Sequence, residues 1–205
     1  MSEDKLEKYR QKRDFRKTSE PDDDEIKFGW AESRPIFVIQ KHDASSLHYD
    51  FRIEVQGVLK SWAVPKGPST DPSVKRLAVP TEDHPLAYAD FEGVIPEGEY
   101  GGGTILVWDW GTYRNLKESS DQDEDFPDLE QQLADGHATL WLEGEKLRGG
   151  YALIRTGKGE DARWLLIKMD DDCADARRNP TSTEPDSVKT GRSLGDICKE
   201  AGDNE

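Results

Sequence analysis

Between His48 and Ile53 the sequence reads His-Tyr-Asp-Phe-Arg-Ile, polar and apolar residues in strict alternation. A period of two belongs to an extended strand, because successive side chains leave a pleated sheet on opposite sides. His48, Asp50 and Arg52 therefore share one face, and Tyr49, Phe51 and Ile53 share the other. The chain must fold as a sheet that buries the aromatic row and presents an imidazole, a carboxylate and a guanidinium together. His42, upstream in Lys41-His-Asp-Ala-Ser-Ser-Leu-His48, returns through a turn to complete a set of two histidines and one carboxylate. Such a set leaves coordination positions open, as a catalytic divalent ion requires. Arg52 adds a planar cation beside it, and an ion with a guanidinium suits a phosphate. Solvated polar side chains on a half-exposed strand are the bland alternative. Against it, three of the four histidines (His42, His48 and His84) fall in one stretch with charged residues interleaved. Mixed nitrogen and oxygen donors suit Mn, Zn, Fe or Co alike.

The rest of the chain extends the β pattern. Short runs rich in branched and aromatic residues span 36–40, 48–55, 58–64, 76–79, 104–108, 138–142, 151–156 and 164–169, most ending at Gly, Pro or Asp. Gln56-Gly57 fits a tight hairpin. One internal helix is expected around Pro127–Asp135 and a short one near residues 5–13. This spacing predicts a mainly β, single-domain antiparallel barrel or sandwich, closed to protect strand edges, with short helices and flexible polar N- and C-terminal segments. The expected division is an arm over 1–34, a barrel over 35–172 and a mobile polar tail over 173–205, with the acidic stretch Glu118–Asp125 as an exposed loop. The glycine-rich run Ile95-Pro-Glu-Gly-Glu-Tyr-Gly-Gly-Gly-Thr104 lacks the Gly-Lys-Ser/Thr ending of a nucleotide loop and precedes a strand, so it reads as a turn or bulge.

Composition narrows the setting. With 205 residues, 34% hydrophobic and 35% charged, the chain supports one sizeable core with polar arms. No apolar run is long enough to span a bilayer and the first residues are charged, so a soluble, cytoplasmic protein is expected. The two cysteines, Cys173 and Cys198, suggest neither a disulfide framework nor a thiolate zinc site. The net charge of −15 argues superficially against a polyanionic partner, but it is unevenly spread. Residues 5–17 hold seven Lys or Arg against two acids, and residues 35–80 hold six against four. Screening over about 8–10 Å lets a local basic surface act on an acidic protein.

Further polar residues lie on rigid turns. His84, in Glu82-Asp-His-Pro85, sits on a loop between prolines, where it can protonate a leaving oxygen or donate to a phosphoryl oxygen. Lys66 in Val64-Pro-Lys-Gly-Pro68, and Arg76, are cations that either neutralise phosphate or face solvent. His137 is expected in the core or on the surface.

Five collinear segments, His42–Arg52, Ser61–Pro68 (SWAVPKGP), Glu82–Pro85 (EDHP), Phe91–Tyr100 (FEGVIPEGEY) and Val107–Gly111 (VWDWG), resemble the 3'-phosphoesterase module of bacterial and archaeal DNA ligase D. The resemblance covers most of residues 9–169. It implies a small β-barrel that, with Mn2+ or another divalent transition metal, removes a 3'-terminal ribonucleoside and then the 3'-phosphate to leave a 3'-hydroxyl for non-homologous end joining. Carried over by position, His42, His48 and Asp50 match metal ligands, and Arg52 and His84 match residues engaging the scissile phosphate. Arg13, Asp14 and Glu20 resemble arm residues that complete the catalytic set, and Lys66, Arg76 and Tyr88 match further substrate-binding positions. The substrate's 2'-hydroxyl would assist the first step. The implied partners are a primer-template DNA end with a 3'-ribonucleotide or 3'-phosphate and separate polymerase, ligase and Ku chains, with the protein a nucleoid-associated monomer. The family's best-known members are fused to polymerase and ligase domains, so a chain ending soon after the barrel is expected to act as a stand-alone enzyme. Two other readings predict different behaviour. A non-catalytic DNA-end-binding module would bind without turnover and with steep salt dependence, and a cupin-like non-haem iron enzyme would leave Arg52, Lys66 and Arg76 without a role.

Overall fold

The computed structural model describes residues 4–22, 34–117, 128–157, 159 and 162–202. Among them run nine strands: β1 Ile36–Asp43, β2 Leu47–Val55, β3 Val58–Val64, β4 Lys75–Pro80, β5 Gly93–Ile95, β6 Gly103–Asn115, β7 His137–Gly144, β8 Arg148–Thr156 and β9 Arg163–Lys168. All pairings are antiparallel, in the order β1-β2-β3-β4-β9-β8-β7-β6-β5, and β1 also pairs β6. That last pairing closes eight strands into a barrel and leaves β5 as an outer strand on β6. Closure satisfies the backbone of every barrel strand without an open edge, and the expected antiparallel barrel is what forms.

The barrel is filled by the inward rows: Phe37 and Ile39 of β1, Phe51 and Ile53 of β2, Trp62 of β3, Leu106 and Trp108 of β6, Leu140 and Leu142 of β7, Tyr151 and Leu153 of β8. A second core lies on the outside of the same sheet. Ile36 and Val38 of β1 and Ile105 and Val107 of β6 pack there against Tyr9, Tyr88, Ala89, Phe91 and Ile95. β1 is thus apolar on both faces, which explains the uninterrupted Ile36-Phe-Val-Ile39 run. The cover over this outer core is the arm helix α1, Glu7–Gln11, and a 3-10 helix at Leu86–Asp90. Along the outer face of β1 the apolar residues give way to Gln40 and His42, so the outer core ends where the polar row begins.

The expected internal helix forms as α2, Leu129–Asp135, with the Asp128 carboxylate accepting from the Gln131 N–H at 2.8 Å. Pro127 and the Glu118–Asp125 stretch lie outside the described residues, as does the acidic run beyond Asp22. No helix among the described residues is long and apolar enough to cross a membrane.

One expectation is corrected. Residues 173–202 are not a detached polar tail: they hold α3, Pro180–Thr183, and α4, Leu194–Gly202, and are seated on the barrel. The Trp108 indole N–H and the Lys146 ammonium each donate to the Glu184 carbonyl at 2.8 Å, and Arg178 donates to the Lys146 carbonyl at 2.7 Å. Ile197 of α4 is 3% exposed and joins the barrel core. The segment reads as polar because most of its docking uses backbone carbonyls, which composition does not register. Ile197→Ala is expected to lower the unfolding free energy by about 2 kcal/mol, read as a lower urea midpoint at unchanged m; an unchanged midpoint would show that α4 contributes nothing to the core.

Candidate active site

Strand register assembles the polar row. His42 lies opposite His48, and Gln40 opposite Asp50, across the β1–β2 ladder, while Asp50 faces Ala63 and Arg52 faces Ser61 across β2–β3. Residues directly opposite in an antiparallel pair share a face, so three strands deliver His42, His48, Asp50, Arg52, Gln40 and Ser61 to one outer surface. His42, His48, Asp50 and Arg52 floor a cavity of about 260 Å³ also lined by Arg13, Thr81, Glu82, His84, Tyr88, Tyr100 and Gly101, with Gln40 and Ser61 buried behind Arg52.

Each imidazole is oriented by a backbone carbonyl. His42 Nε2 donates to the Gly101 carbonyl at 2.9 Å, and His48 Nδ1 donates to the Ser46 carbonyl at 2.9 Å. The opposite nitrogens both turn toward one carboxylate, His42 Nδ1 at 3.5 Å and His48 Nε2 at 3.6 Å from Asp50 oxygens. Protonated, they donate to Asp50, which raises the His48 pKa against the effect of burial, and deprotonated they carry lone pairs. The potential ligand atoms of the three residues lie within 4.8 Å of one another. Two outward N–H groups tied to carbonyls, with two lone pairs and a carboxylate converging, are what a divalent transition metal asks of its ligands. The residues present fit such an ion. Burial works against ionisation of Asp50, but the Arg52 charge and the two imidazoles outweigh it and hold its carboxyl well below the usual range. Gly101 adopts φ +76°, a left-handed conformation that glycine takes without strain, and this turns its carbonyl to His42.

Arg52 is 3% exposed and enclosed by partners. Its Nε donates to Gln40 Oε1 at 2.7 Å, Nη1 to Ser61 Oγ at 2.9 Å and Nη2 to Asp50 Oδ2 at 3.2 Å, and its guanidinium lies 4.9 Å from the Tyr88 ring centroid. Gln40, fully buried, uses its amide nitrogen on the carbonyls of Tyr88 and Phe91 at 2.9 and 3.0 Å.

His84 stands between two guanidiniums. Its Nδ1 lies 2.8 Å from the Glu82 carbonyl, an acceptor, and 3.0 Å from Nη1 of Arg52, a donor only, while its Nε2 lies 3.3 Å from Nη2 of Arg13, also a donor only. The Nδ1–H tautomer meets Glu82 and Arg13, and Nη1 of Arg52 then keeps Ser61 Oγ as its acceptor. Burial first, then the charges of Arg52 and Arg13, push the imidazole well below its ordinary pKa, so it is neutral at pH 7.

The arm enters the site through Arg13, whose side chain is 4% exposed. It donates to Glu20 at 2.9 Å and to Glu82 at 3.0 Å, and stacks 3.9 Å from the Tyr9 ring centroid. Glu20 also accepts from the Tyr88 hydroxyl at 2.8 Å. Burial opposes ionisation of Glu82, yet hydrogen bonds from Lys12 and Arg13 keep its carboxyl below the usual range.

The cavity thus gathers most of the residues expected from sequence. His42, His48, Asp50, Arg52, His84, Arg13 and Tyr88 line it, and Glu20 lies directly behind Arg13 and Tyr88. Three others lie elsewhere. Asp14 faces outward, paired with the exposed Arg16 at 2.9 Å. Lys66 is exposed on the turn after β3. Arg76 pairs in register with the core residue Leu166 and shares the inward face of β4 with Ala78, opposite to Val79, the partner of the cavity residue Ala63. His137 is exposed at the start of β7. Sequence reasoning missed Gln40, Ser61, Glu82, Tyr100 and the Gly101 carbonyl. Gln40, a polar residue closing an apolar run, was the one signal available for the first.

Two guanidiniums and two carboxylates line the cavity, with Glu20 behind them, so the side chains alone offer no net positive charge to a phosphate. A divalent ion on His42, His48 and Asp50 would reverse that balance. Removing Arg13 would leave Glu20 and Glu82 buried without their shared cation. Arg13→Ala is expected to cost about 3 kcal/mol of stability, partly restored by Glu20→Gln in the same chain, as read by urea unfolding. Asp50→Asn is expected to weaken Mn2+ binding more than about 100-fold by calorimetry.

Comparison with known proteins adds to this geometry. Residues 40–155 match the family model of the DNA ligase D 3'-phosphoesterase domain. The chain is similar to the multifunctional non-homologous end joining protein LigD of Pseudomonas aeruginosa, 47% identical over 194 residues covering 92% of this chain and 22% of that protein. It is also similar to the multifunctional non-homologous end joining DNA repair protein LigD of Mycobacterium tuberculosis, 45% identical over 172 residues (81% of this chain, 20% of that protein). A third relative is LigD of Mycolicibacterium smegmatis, 47% identical over 169 residues (82% and 21%). The chain spans about a fifth of the length of these relatives.

Proposed function

Because the chain belongs to the DNA ligase D 3'-phosphoesterase domain family, we propose that it heals DNA 3' ends in a metal-dependent way during end joining in the bacterial cytoplasm. It removes a 3'-terminal ribonucleoside to leave a 3'-phosphate, then removes that phosphate to leave a 3'-hydroxyl. The observation that carries this reading is the convergence of two carbonyl-oriented histidines and Asp50 beside the enclosed guanidinium of Arg52 in one cavity.

His42, His48 and Asp50 would hold the ion; Mn2+ suits the mixed donors, as do other divalent transition metals. When bound, it would supply a Lewis-acidic charge for a phosphate oxygen. The remaining work falls to the chain. Arg52, its torsions locked by Gln40, Ser61 and Asp50, presents fixed positive charge where negative charge builds at phosphorus, without reorganising as it does so. Arg13, held by Glu20 and Glu82, contributes a second cation from the arm. In the first step a water oxygen bonds to phosphorus, the bond from phosphorus to the 5'-oxygen breaks, and a proton reaches that oxygen. His84 is neutral in the free protein because it is buried and two cations face it. An entering phosphate offsets those cations, so the imidazole gains proton affinity as substrate binds, takes up a proton at Nε2 and delivers it to the leaving oxygen. In the second step water again bonds to phosphorus, and inorganic phosphate leaves the 3'-oxygen, which retains a proton. Polymerase and ligase activities, with Ku, would act on the healed end.

The test is a gel assay of a 5'-labelled primer-template ending in one ribonucleotide, with Mn2+ or with a chelator. Stepwise loss of the ribonucleoside and then of the phosphate is expected. His42→Ala should reduce both by more than about 100-fold, and His84→Ala should slow the first by about 100-fold or more. A primer that is bound but unchanged in every divalent ion would identify a docking module instead.

A further inference from the structure

Tyr100 is the one exposed aromatic side chain among the described residues, at 46%, and it lines the cavity. The other aromatic ring there, Tyr88, is 1% exposed and packed into the outer core. The Tyr100 ring is held at both ends. Its hydroxyl accepts from the Lys12 ammonium at 3.0 Å and donates to Glu82 at 3.3 Å, while its backbone leads into Gly101, whose carbonyl orients His42. Lys12 also lies 4.5 Å from the ring centroid. A tethered aromatic surface therefore stands at the mouth of the cavity, next to the candidate metal set, with much of its area open to solvent.

The chemistry of the lining says what this surface takes. No Asn or Gln amide lines the cavity, and both guanidiniums are engaged with carboxylates. The Asn and Gln amides and free guanidiniums that make bidentate contacts to a base edge are thus absent or occupied. An aromatic face binds any base through its π surface and does not discriminate among them. In the first step the departing group is a nucleoside, which must leave into solvent, so its contact belongs at the open mouth rather than in the interior.

We propose that Tyr100 is the stacking platform for the base of the 3'-terminal nucleoside, the group released in the first step. This rests on the phosphoesterase reading above and extends it. The contact makes the first step tolerant of base identity and dependent on the presence of a base. It is not used in the second step, whose substrate no longer carries that nucleoside.

The experiment measures kcat/KM of the full chain, with Mn2+, on primer-templates ending in a ribonucleotide and in a 3'-phosphate. Wild type, Tyr100→Phe and Tyr100→Ala are compared, with each of the four terminal bases and with an abasic terminal ribose. In Tyr100→Ala the ratio of first-step to second-step activity is expected to fall at least about fivefold, the lower end of base–aromatic stacking. Tyr100→Phe, which loses the hydroxyl and keeps the ring, should preserve the ratio. The abasic terminus should slow wild type by the same factor and add nothing to the loss in Tyr100→Ala. Equal loss in both steps, a Tyr100→Phe ratio as low as that of Tyr100→Ala, or wild-type speed on the abasic end would each overturn the stacking. Wild-type protein that turns over neither substrate would overturn the phosphoesterase reading itself, and the stacking with it.

Discussion

The buried guanidinium of Arg52 is the constraint around which the site is arranged. A charge in that position is tolerable only if its donors are met. They are met by groups from separate parts of the chain: Gln40 of β1, Asp50 of β2 and Ser61 of β3, with Tyr88 of the 3-10 helix at its face. The need to satisfy one side chain thereby fixes the relative placement of three strands and the segment that covers them. It also fixes Asp50, whose carboxylate faces Arg52 on one side and two imidazoles on the other. Position and charge at the candidate metal set follow from the same contact.

The arm repeats this arrangement with the roles reversed. At Arg13 one cation is shared by two buried carboxylates, Glu20 and Glu82. Tyr9, beneath the guanidinium, packs into the outer core and anchors the arm by burial, while the ion pairs set its register. The arm is therefore a wall of the cavity, and His84 owes part of its low proton affinity to it.

Support reaches further through Gln40. Its amide is held by the carbonyls of Tyr88 and Phe91, and the adjoining Glu92 is gripped by the C-terminal segment through Ser187, Thr190 and Arg192. Val188 also donates to the Val107 carbonyl of β6 at 3.0 Å. A chain of hydrogen bonds thus runs from residues 187–192 to Arg52. The segment whose composition reads as a solvated tail is tied to the groups that position the site's central cation.

The local pattern by itself determined a good part of this protein. Alternation from His48 to Ile53 dictated a strand and placed His48, Asp50 and Arg52 on one face, because side-chain direction in a strand depends only on parity. Short β runs closed by Gly, Pro and Asp pointed to an antiparallel barrel or sandwich, which the β1–β6 pairing decides as a barrel, and the motif of two histidines and an aspartate was legible because all three residues lie on one hairpin. Tertiary structure decided the rest. Which face of β1 meets which cover depends on an arm and a 3-10 helix distant in sequence, so Ile36-Phe-Val-Ile39 did not disclose a second core. Arg76 and Asp14 carry the right charges, but strand parity turns Arg76 toward the barrel and Arg16 holds Asp14 outside. The partners that orient His42, His48 and His84 are backbone carbonyls, which every residue possesses and no sequence distinguishes. Only folding brings the Gly101, Ser46 and Glu82 carbonyls to those rings, and with them the ring orientations on which the chemistry depends.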